Sequence, residues 1–198
     1  MMSSSADQWN AWVLADLLER RVVHLTGELD DAAAANACAA LMTLDADGDE
    51  AAHLQINAAG GTLSGAIAVI DTVALLGVPV EATVVGQAAG APLLVFASCD
   101  RRIVSPRAML RFEEPEATYT GSQADLSRWV EHRQHQRRSV LERIAERSGV
   151  PADELAALLE RGVFLTAEDA VAAGLADEVA SPTAQVLRFP RQVGFRRR

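Results

Sequence analysis

The chain has 198 residues, of which 49% are hydrophobic and 23% are charged, a composition typical of a folded domain with a sizeable core. All 18 basic residues are arginines, which excludes any mechanism that uses a lysine amine as a base. The formal net charge of -9 argues against nucleic acid as the main partner, because duplex binding relies on a clustered positive surface.

The first half of the chain alternates segments with helical and strand-like hydrophobic patterns. Helices are predicted over 10–20, 30–47, 64–76 and the apolar segment after Gly90, and strands over 21–27, 52–57, 80–86 and 102–105. Either Asp30 or Asp31 is expected to cap the second helix. Strands that alternate with helices of about 10 to 15 residues indicate βαβ crossovers. The fold class is therefore predicted to be α/β, with a largely parallel sheet covered on both faces.

The second half is predicted to begin with a long helix over residues 124–148. Its nine central residues, 131–139, are all polar, and a helix that is polar all round often bridges to another element or chain. His132 and His135 lie one turn apart there, but without a third ligand nearby they are interpreted as part of a solvated face. No metal site is predicted.

The remaining segments complete the predicted domain. Residues 148–162 predict a helix with Pro151 in its first turn, and residues 163–179 predict a short strand and a helix. Thr166 and Asp169 are expected to form a capping box at the start of that last helix, and Gly174 to end it. We predict a single domain over 1–187 and a basic, solvated and disordered tail over 188–198, which carries five arginines and no acid.

The start of the chain and its cysteines indicate the cellular setting. The start has no basic leader followed by an apolar stretch, and no segment has about 18 unbroken apolar residues. The sequence therefore predicts neither a signal peptide nor a membrane span. A cytoplasmic location is predicted instead. Cys38 and Cys99 lack the spacing of a metal site or a disulfide framework, so both are interpreted as small core residues.

Residues 84–98 predict a strand that turns sharply into a helix. Several hydrolases use such a turn to lift a nucleophile above a sheet, and here Gly90 occupies the nucleophile's place. Other hydroxyl and thiol groups are less suited to that role. Thr62 and Ser64 are expected to cap the helix that follows Gly60 and Gly61. Ser98 and Cys99 lie a helix length beyond the turn and are predicted to be buried.

Five segments in consistent order resemble ClpP, the family of Clp protease proteolytic subunits, which shares a superfamily with the crotonases. They are LLERRVVHLTGELDD, INAAGGTLSGAIAVID, GQAAGAPLL, RAMLR and VFLTAEDAVAAGLADEV, and the resemblance runs from about residue 17 to residue 180. It implies a ClpP/crotonase-like spiral of βαβ units with a projecting long helix.

The resemblance also implies where a Ser-His-Asp triad would lie. In that family these three residues act as nucleophile, base and orienting acid. The matching positions here hold Gly90, Arg111 and Gly162, and no histidine occurs between His53 and His132. The resemblance therefore implies that no residue of the catalytic triad is intact in this protein.

Gly60 and Gly61 match the turn whose backbone N–H groups polarise the substrate carbonyl in the resembled enzymes. They could keep this oxyanion-hole role or serve only a tight turn with a close backbone approach. The resemblance implies an inactive structural or regulatory subunit of a Clp-type assembly. Its ring would be a heptamer or double heptamer, built from this chain alone or mixed with an active ClpP paralogue, and an AAA+ unfoldase is a candidate partner. No cofactor is expected.

The alternative is a crotonase-type acyl-CoA hydratase or isomerase. Residues 97–116 resemble a crotonase pattern whose last glutamate, here Glu116, can act as the acid/base beside an oxyanion hole. The chain is short for that family, and Pro92 removes one backbone donor after the turn. Arg111, Glu113, Glu114 and Glu116 could form a polar network in the cleft, but a solvated edge is the favoured interpretation.

Overall fold

The helices and strands follow one another in the predicted order, with two further short strands. The computed structural model describes residues 5–115 and 117–181, so Glu116 and the predicted tail at 188–198 lie outside the described residues. The helices are α1 (Ser5–Glu19), α2 (Asp31–Ala46), α3 (Leu63–Leu75), α4 (Ala91–Ser98), α5 (Gln123–Ser148), α6 (Ala152–Arg161) and α7 (Ala167–Ala172). The strands are β1 (Val22–Leu29), β2 (Ala52–Gly61), β3 (Val80–Ala89), β4 (Arg101–Val104), β5 (Met109–Phe112), β6 (Val163–Leu165) and β7 (Glu178–Val179).

The strands form one sheet in the order β1-β2-β3-β4-β7, in which all neighbours are parallel. Strand β5 leaves this path. It pairs in parallel with the last residues of β3 and antiparallel with β6. The predicted α/β class with a mostly parallel sheet is confirmed. Because the strands run in parallel, their carboxyl ends lie along one edge, and the turns after β2 and β3 come together there.

One face of the sheet carries the core, and the other does not. Leu54, Ile56 and Val84 are buried, whereas the residues that alternate with them along β1, β2 and β3 are mostly polar and partly or fully exposed. These include His24, His53, Gln55, Asn57 and Thr83. The prediction of a sheet covered on both faces is therefore wrong for these strands. Their period-two alternation of apolar and polar residues is typical of a sheet with one open face.

Helix α4 is the most deeply buried element of the core. Every residue from Ala91 to Ser98 is buried, as expected for a helix that is apolar on all sides. Buried side chains between Val23 and Ala176 form one hydrophobic cluster around it. The turn at the start of α4 is consequently held against a rigid core.

The long helix α5 packs on the core only near its carboxyl end. Its buried residues are Val140, Leu141 and Ile144, and no residue before Val140 is buried. The hydroxyl of Ser122 accepts a hydrogen bond from the N–H of Asp125 to cap the helix, and Gly149 ends it in the left-handed conformation. The polar centre predicted for this helix therefore lies on a segment with little support from its own chain.

The predicted caps are largely confirmed. Asp30 caps α2, and Thr166 and Asp169 form both hydrogen bonds of a capping box on α7. Pro151 is the residue before α6 rather than part of its first turn, and Gly174 follows the last capping residue of α7. Among the described residues, no helix combines the length and the apolar character needed to span a bilayer.

Candidate functional site

The chain turns sharply between β3 and α4 at Gly90. Its dihedral angles are φ 58° and ψ -124°, a conformation that a residue with a β-carbon adopts only with strain. Its carbonyl accepts hydrogen bonds from the N–H groups of Leu93 and Leu94 at 3.1 and 3.2 Å. This is the strand–turn–helix geometry that presents the nucleophile in elbow-type hydrolases.

A lack of space at this turn does not explain why residue 90 is a glycine. A β-carbon at Gly90 would lie 3.8 Å from Cγ of Glu113 and 3.9 Å from Cα of Pro115, which are ordinary contact distances. A small side chain would therefore fit beside this backbone. The elbow geometry is present, and Gly90 places no side chain on it.

The sheet brings Gly90, Arg111 and Gly162 together. Ala89 pairs with Arg111 across β3 and β5, and the N–H of Gly90 donates to the carbonyl of Arg111 at 3.2 Å. Gly162 ends α6 just before β6 in the left-handed conformation, and its β-carbon position lies 4.0 Å from Nη2 of Arg111. The three positions that the resemblance assigns to nucleophile, base and orienting acid are thus neighbours in that order.

Arg111 makes an ion pair and a ring contact. Its Nε lies 2.9 Å from Oε2 of Glu113, although this buried N–H is not aligned for a hydrogen bond with any described acceptor. The guanidinium lies 4.9 Å from the ring centroid of Phe164, which faces Arg111 across β5 and β6. The Arg111 side chain is 43% exposed, so the pair contributes no more than about 1 kcal/mol to stability.

Arginines of α5 contact the segment after β5, and no local sequence pattern predicts these contacts. Nη2 of Arg133 donates to the carbonyl of Pro115 at 2.6 Å. Arg137 lies 3.5 Å from Glu114 and donates to Glu160 at 2.8 Å. Glu113 and Glu114 therefore take part in two separate, partly exposed ion pairs, with Arg111 and with Arg137, which is closer to the polar-network alternative than to a plain solvated edge.

Gly60 and Gly61 lie beside the elbow at the end of β2, since Ala59 pairs with Ala89. Their φ angles are 128° and 138°. A β-carbon at Gly61 would lie 2.5 Å from the carbonyl oxygen of Leu29, so the close backbone approach considered from the sequence is real at this position. Gly60 meets no such neighbour within 4 Å.

The hydroxyls after this turn serve the helix. The N–H of Gly65 donates to Oγ1 of Thr62 at 3.0 Å, and the hydroxyl of Ser64 donates to the same oxygen at 3.1 Å. The predicted capping role is confirmed for Thr62. Ser98 is buried as predicted, and its hydroxyl donates to the carbonyl of Leu94 at 2.9 Å.

The two thiols differ in their surroundings. Cys38 is only partly buried, whereas Cys99 is fully buried and donates to the carbonyl of Val95 at 3.3 Å. Burial raises the pKa of Cys99 to about 12, with the charge of Asp100 as the next cause. We expect iodoacetamide to modify Cys38 in the folded protein and Cys99 only after unfolding, because the thiolate is the reactive form. Mass spectrometry of native and urea-unfolded samples checks this, and equal rates at both cysteines in the native protein would contradict it.

The possible metal ligands do not cluster in the described part of the chain. No three side chains among its histidines, cysteines, aspartates and glutamates lie close enough to hold an ion. His132 and His135 both lie on the exposed surface of α5.

A mostly parallel α/β sheet, an elbow at the end of β3 and a long helix packed only at its carboxyl end define a ClpP-like fold. The family model for Clp protease matches residues 5–183 of this chain. The chain belongs to the Clp protease family. The match covers the elbow, Arg111, Gly162 and all of α5, and it does not favour the crotonase-type alternative. Members of this family typically form rings, which supports assembly into oligomers in general.

Proposed function

We propose that this protein is a catalytically inactive ClpP-like subunit with a structural or regulatory role in a Clp-type ring. The observation that carries the proposal is the adjacency of Gly90, Arg111 and Gly162 at the elbow. A peptidase of this family needs a nucleophile, a base and an orienting acid at such a place. None of the three residues can fill its role.

These residues support neither the nucleophilic attack nor the proton transfer that peptide hydrolysis requires. Gly90 has no side chain to attack a carbonyl, and an arginine guanidinium remains protonated in proteins and cannot accept a proton. Glu113 is the nearest described carboxylate to Arg111, and it is engaged in the ion pair at 2.9 Å. The hydroxyls of Thr62, Ser64 and Ser98 are committed to hydrogen bonds elsewhere. A site with neither a nucleophile nor a free base supports no acyl transfer.

The exposed part of α5 supports the ring role. Leu126 and Val130 are large apolar side chains that remain exposed on this helix, and Trp129 contacts Tyr119 beside them. Apolar side chains grouped on a segment without core support are typical of a protein interface. We propose that this surface contacts other subunits in a heptamer or double heptamer, of this chain alone or mixed with an active ClpP paralogue. An AAA+ unfoldase as partner and a cytoplasmic location belong to the same proposal.

Two measurements test the proposal. Treatment of the purified protein with a fluorophosphonate probe and a small peptide ester should give neither a covalent adduct nor turnover, with an active family member as the positive control. Native mass spectrometry of the protein from its own cells should show a ring and identify any second subunit type. An adduct on any hydroxyl would refute inactivity, and a monomer at cellular concentration would refute the ring role.

A further inference from the structure

The guanidinium of Arg111 is partly exposed next to Gly162, and the backbone of Arg111 pairs with Gly90. Its Nε lies 2.9 Å from Oε2 of Glu113, and neither Nη1 nor Nη2 donates a hydrogen bond to a described residue. The planar fork of these two groups matches a carboxylate, which it can hold through two parallel hydrogen bonds. We propose that the cleft binds the terminal carboxylate of peptides through Arg111. The proposal rests on the proposed function, because it requires a cleft that no longer turns peptides over.

Two glycines leave room for such a group. A β-carbon at Gly162 would lie 4.0 Å from Nη2 of Arg111, and one at Gly90 would lie beside Glu113. Because both residues are glycines, these two positions carry no side chain. The N–H of Ala91, the first residue of α4, donates to no described acceptor. This backbone donor lies at the positive end of the helix dipole, and that end favours an anion. The neighbouring positions Gly90, Arg111 and Gly162 thus offer two kinds of donor and, at the two glycines, no side chain that would block a ligand.

The surface around Arg111 favours a peptide over a small acid. Met109 and Arg111 share one face of β5, and Phe164 lies opposite Arg111 on β6. Met109 is 47% exposed and Phe164 is 59% exposed, so apolar surface lies on both sides of the cation. An apolar C-terminal residue would cover that surface while its carboxylate meets the guanidinium. The expected ligand class is therefore a peptide acid with an apolar last residue.

Glu113 opposes this binding. Its carboxylate lies next to Nε of Arg111 and repels an incoming anion. Replacing Glu113 with glutamine removes that charge and keeps the side chain's size. This variant should bind the peptide acid more tightly than the natural chain does, an outcome that a purely structural role for Arg111 does not produce.

The test uses calorimetric titration of the full chain with N-acetyl-Ala-Ala-Leu and with its C-terminal amide. We expect the acid to bind about tenfold more tightly than the amide, since hydrogen bonds to charged groups at a half-exposed site contribute at the low end of their range. Arg111→Gln should abolish that preference, and Glu113→Gln should raise the affinity for the acid about threefold. The control is Arg138→Gln, which removes a 75% exposed arginine from α5 and should leave the preference intact.

Equal affinity for acid and amide, or a preference that survives Arg111→Gln, overturns the proposal. Acetate that binds as tightly as the tripeptide acid overturns the peptide part of it. Thermal unfolding of each variant establishes that it is folded. Fluorophosphonate treatment of the same preparation tests the proposed function separately, because an adduct would refute inactivity while the ratio of acid to amide affinity still decides the carboxylate site.

Discussion

Replacing Arg102 with methionine is expected to lower the free energy of unfolding by about 3 kcal/mol. Arg102 is only 5% exposed, and its guanidinium donates to the carboxylate of Asp177 at 2.7 and 3.1 Å and to the carbonyl of Gly174 at 3.0 Å. Methionine leaves both acceptors without this partner. The loss lies at the low end of the range for broken buried ion pairs because Asp177 still reaches water. Urea unfolding with an unchanged m-value measures it.

The neighbouring residue provides the control for this change. Arg101 is 49% exposed and pairs with Glu81 and Glu178, so Arg101→Met should change stability by no more than about 0.5 kcal/mol. An equal loss of unfolding free energy in both variants would show that the buried hydrogen bonds of Arg102 stabilise the protein no more than the exposed ion pairs of Arg101.

The same network gives a pH dependence. The hydrogen bond from the Arg102 side chain is the main cause that lowers the pKa of Asp177, while partial desolvation acts in the opposite direction. A carboxyl group with a lowered pKa in the folded state stabilises the protein above its unfolded-state value, and this contribution is lost as the pH falls through the folded-state value. The stability gap between the natural chain and Arg102→Met should therefore narrow below about pH 4. A gap that stays constant through the acid range would contradict this account.

Elements with local signals could be predicted from the sequence. The capping box of Thr166 and Asp169 requires only residues three positions apart, and the apolar run of α4 determines its own burial. The contact of Arg102 with Asp177 joins residues 75 positions apart, and that of Arg133 with Pro115 joins residues 18 positions apart. No periodicity encodes such pairs, because the topology of the sheet and the placement of α5 create them.

The candidate site also combines features that the sequence predicts with contacts that only the fold creates. A resemblance in short motifs predicted that Gly90, Arg111 and Gly162 belong to one site, and the register of β3, β5 and β6 makes them neighbours. The ion pair with Glu113 and the ring of Phe164 beside Arg111 could not be foreseen, since RAMLR was not predicted as a strand. Without β5, nothing in the sequence pairs Arg111 with Phe164.

Introducing serine, histidine and aspartate together is expected to create a reactive site where each change alone does not. The triple variant Gly90→Ser, Arg111→His and Gly162→Asp should form a fluorophosphonate adduct at position 90. The elbow already has room for a β-carbon, and the left-handed backbone at Gly162 is one that aspartate tolerates. Serine at Gly90 adds strain of about 1–3 kcal/mol, which the buried helix α4 must absorb. Intact-mass measurement after labelling detects the adduct.

Cooperation within a triad makes this prediction selective. In serine proteases the loss of the nucleophile or the base alone lowers turnover nearly as far as the loss of all three residues, by a factor of about 10⁶. Gly90→Ser alone should therefore remain unlabelled, because Arg111 cannot take the proton from the hydroxyl. The matched control carries Gly90→Ala with the other two changes, which reproduces the strain without a nucleophile. Labelling of Gly90→Ser alone would reveal a base elsewhere in the cleft, and a folded but unlabelled triple variant would show that these three positions do not have the geometry of a triad.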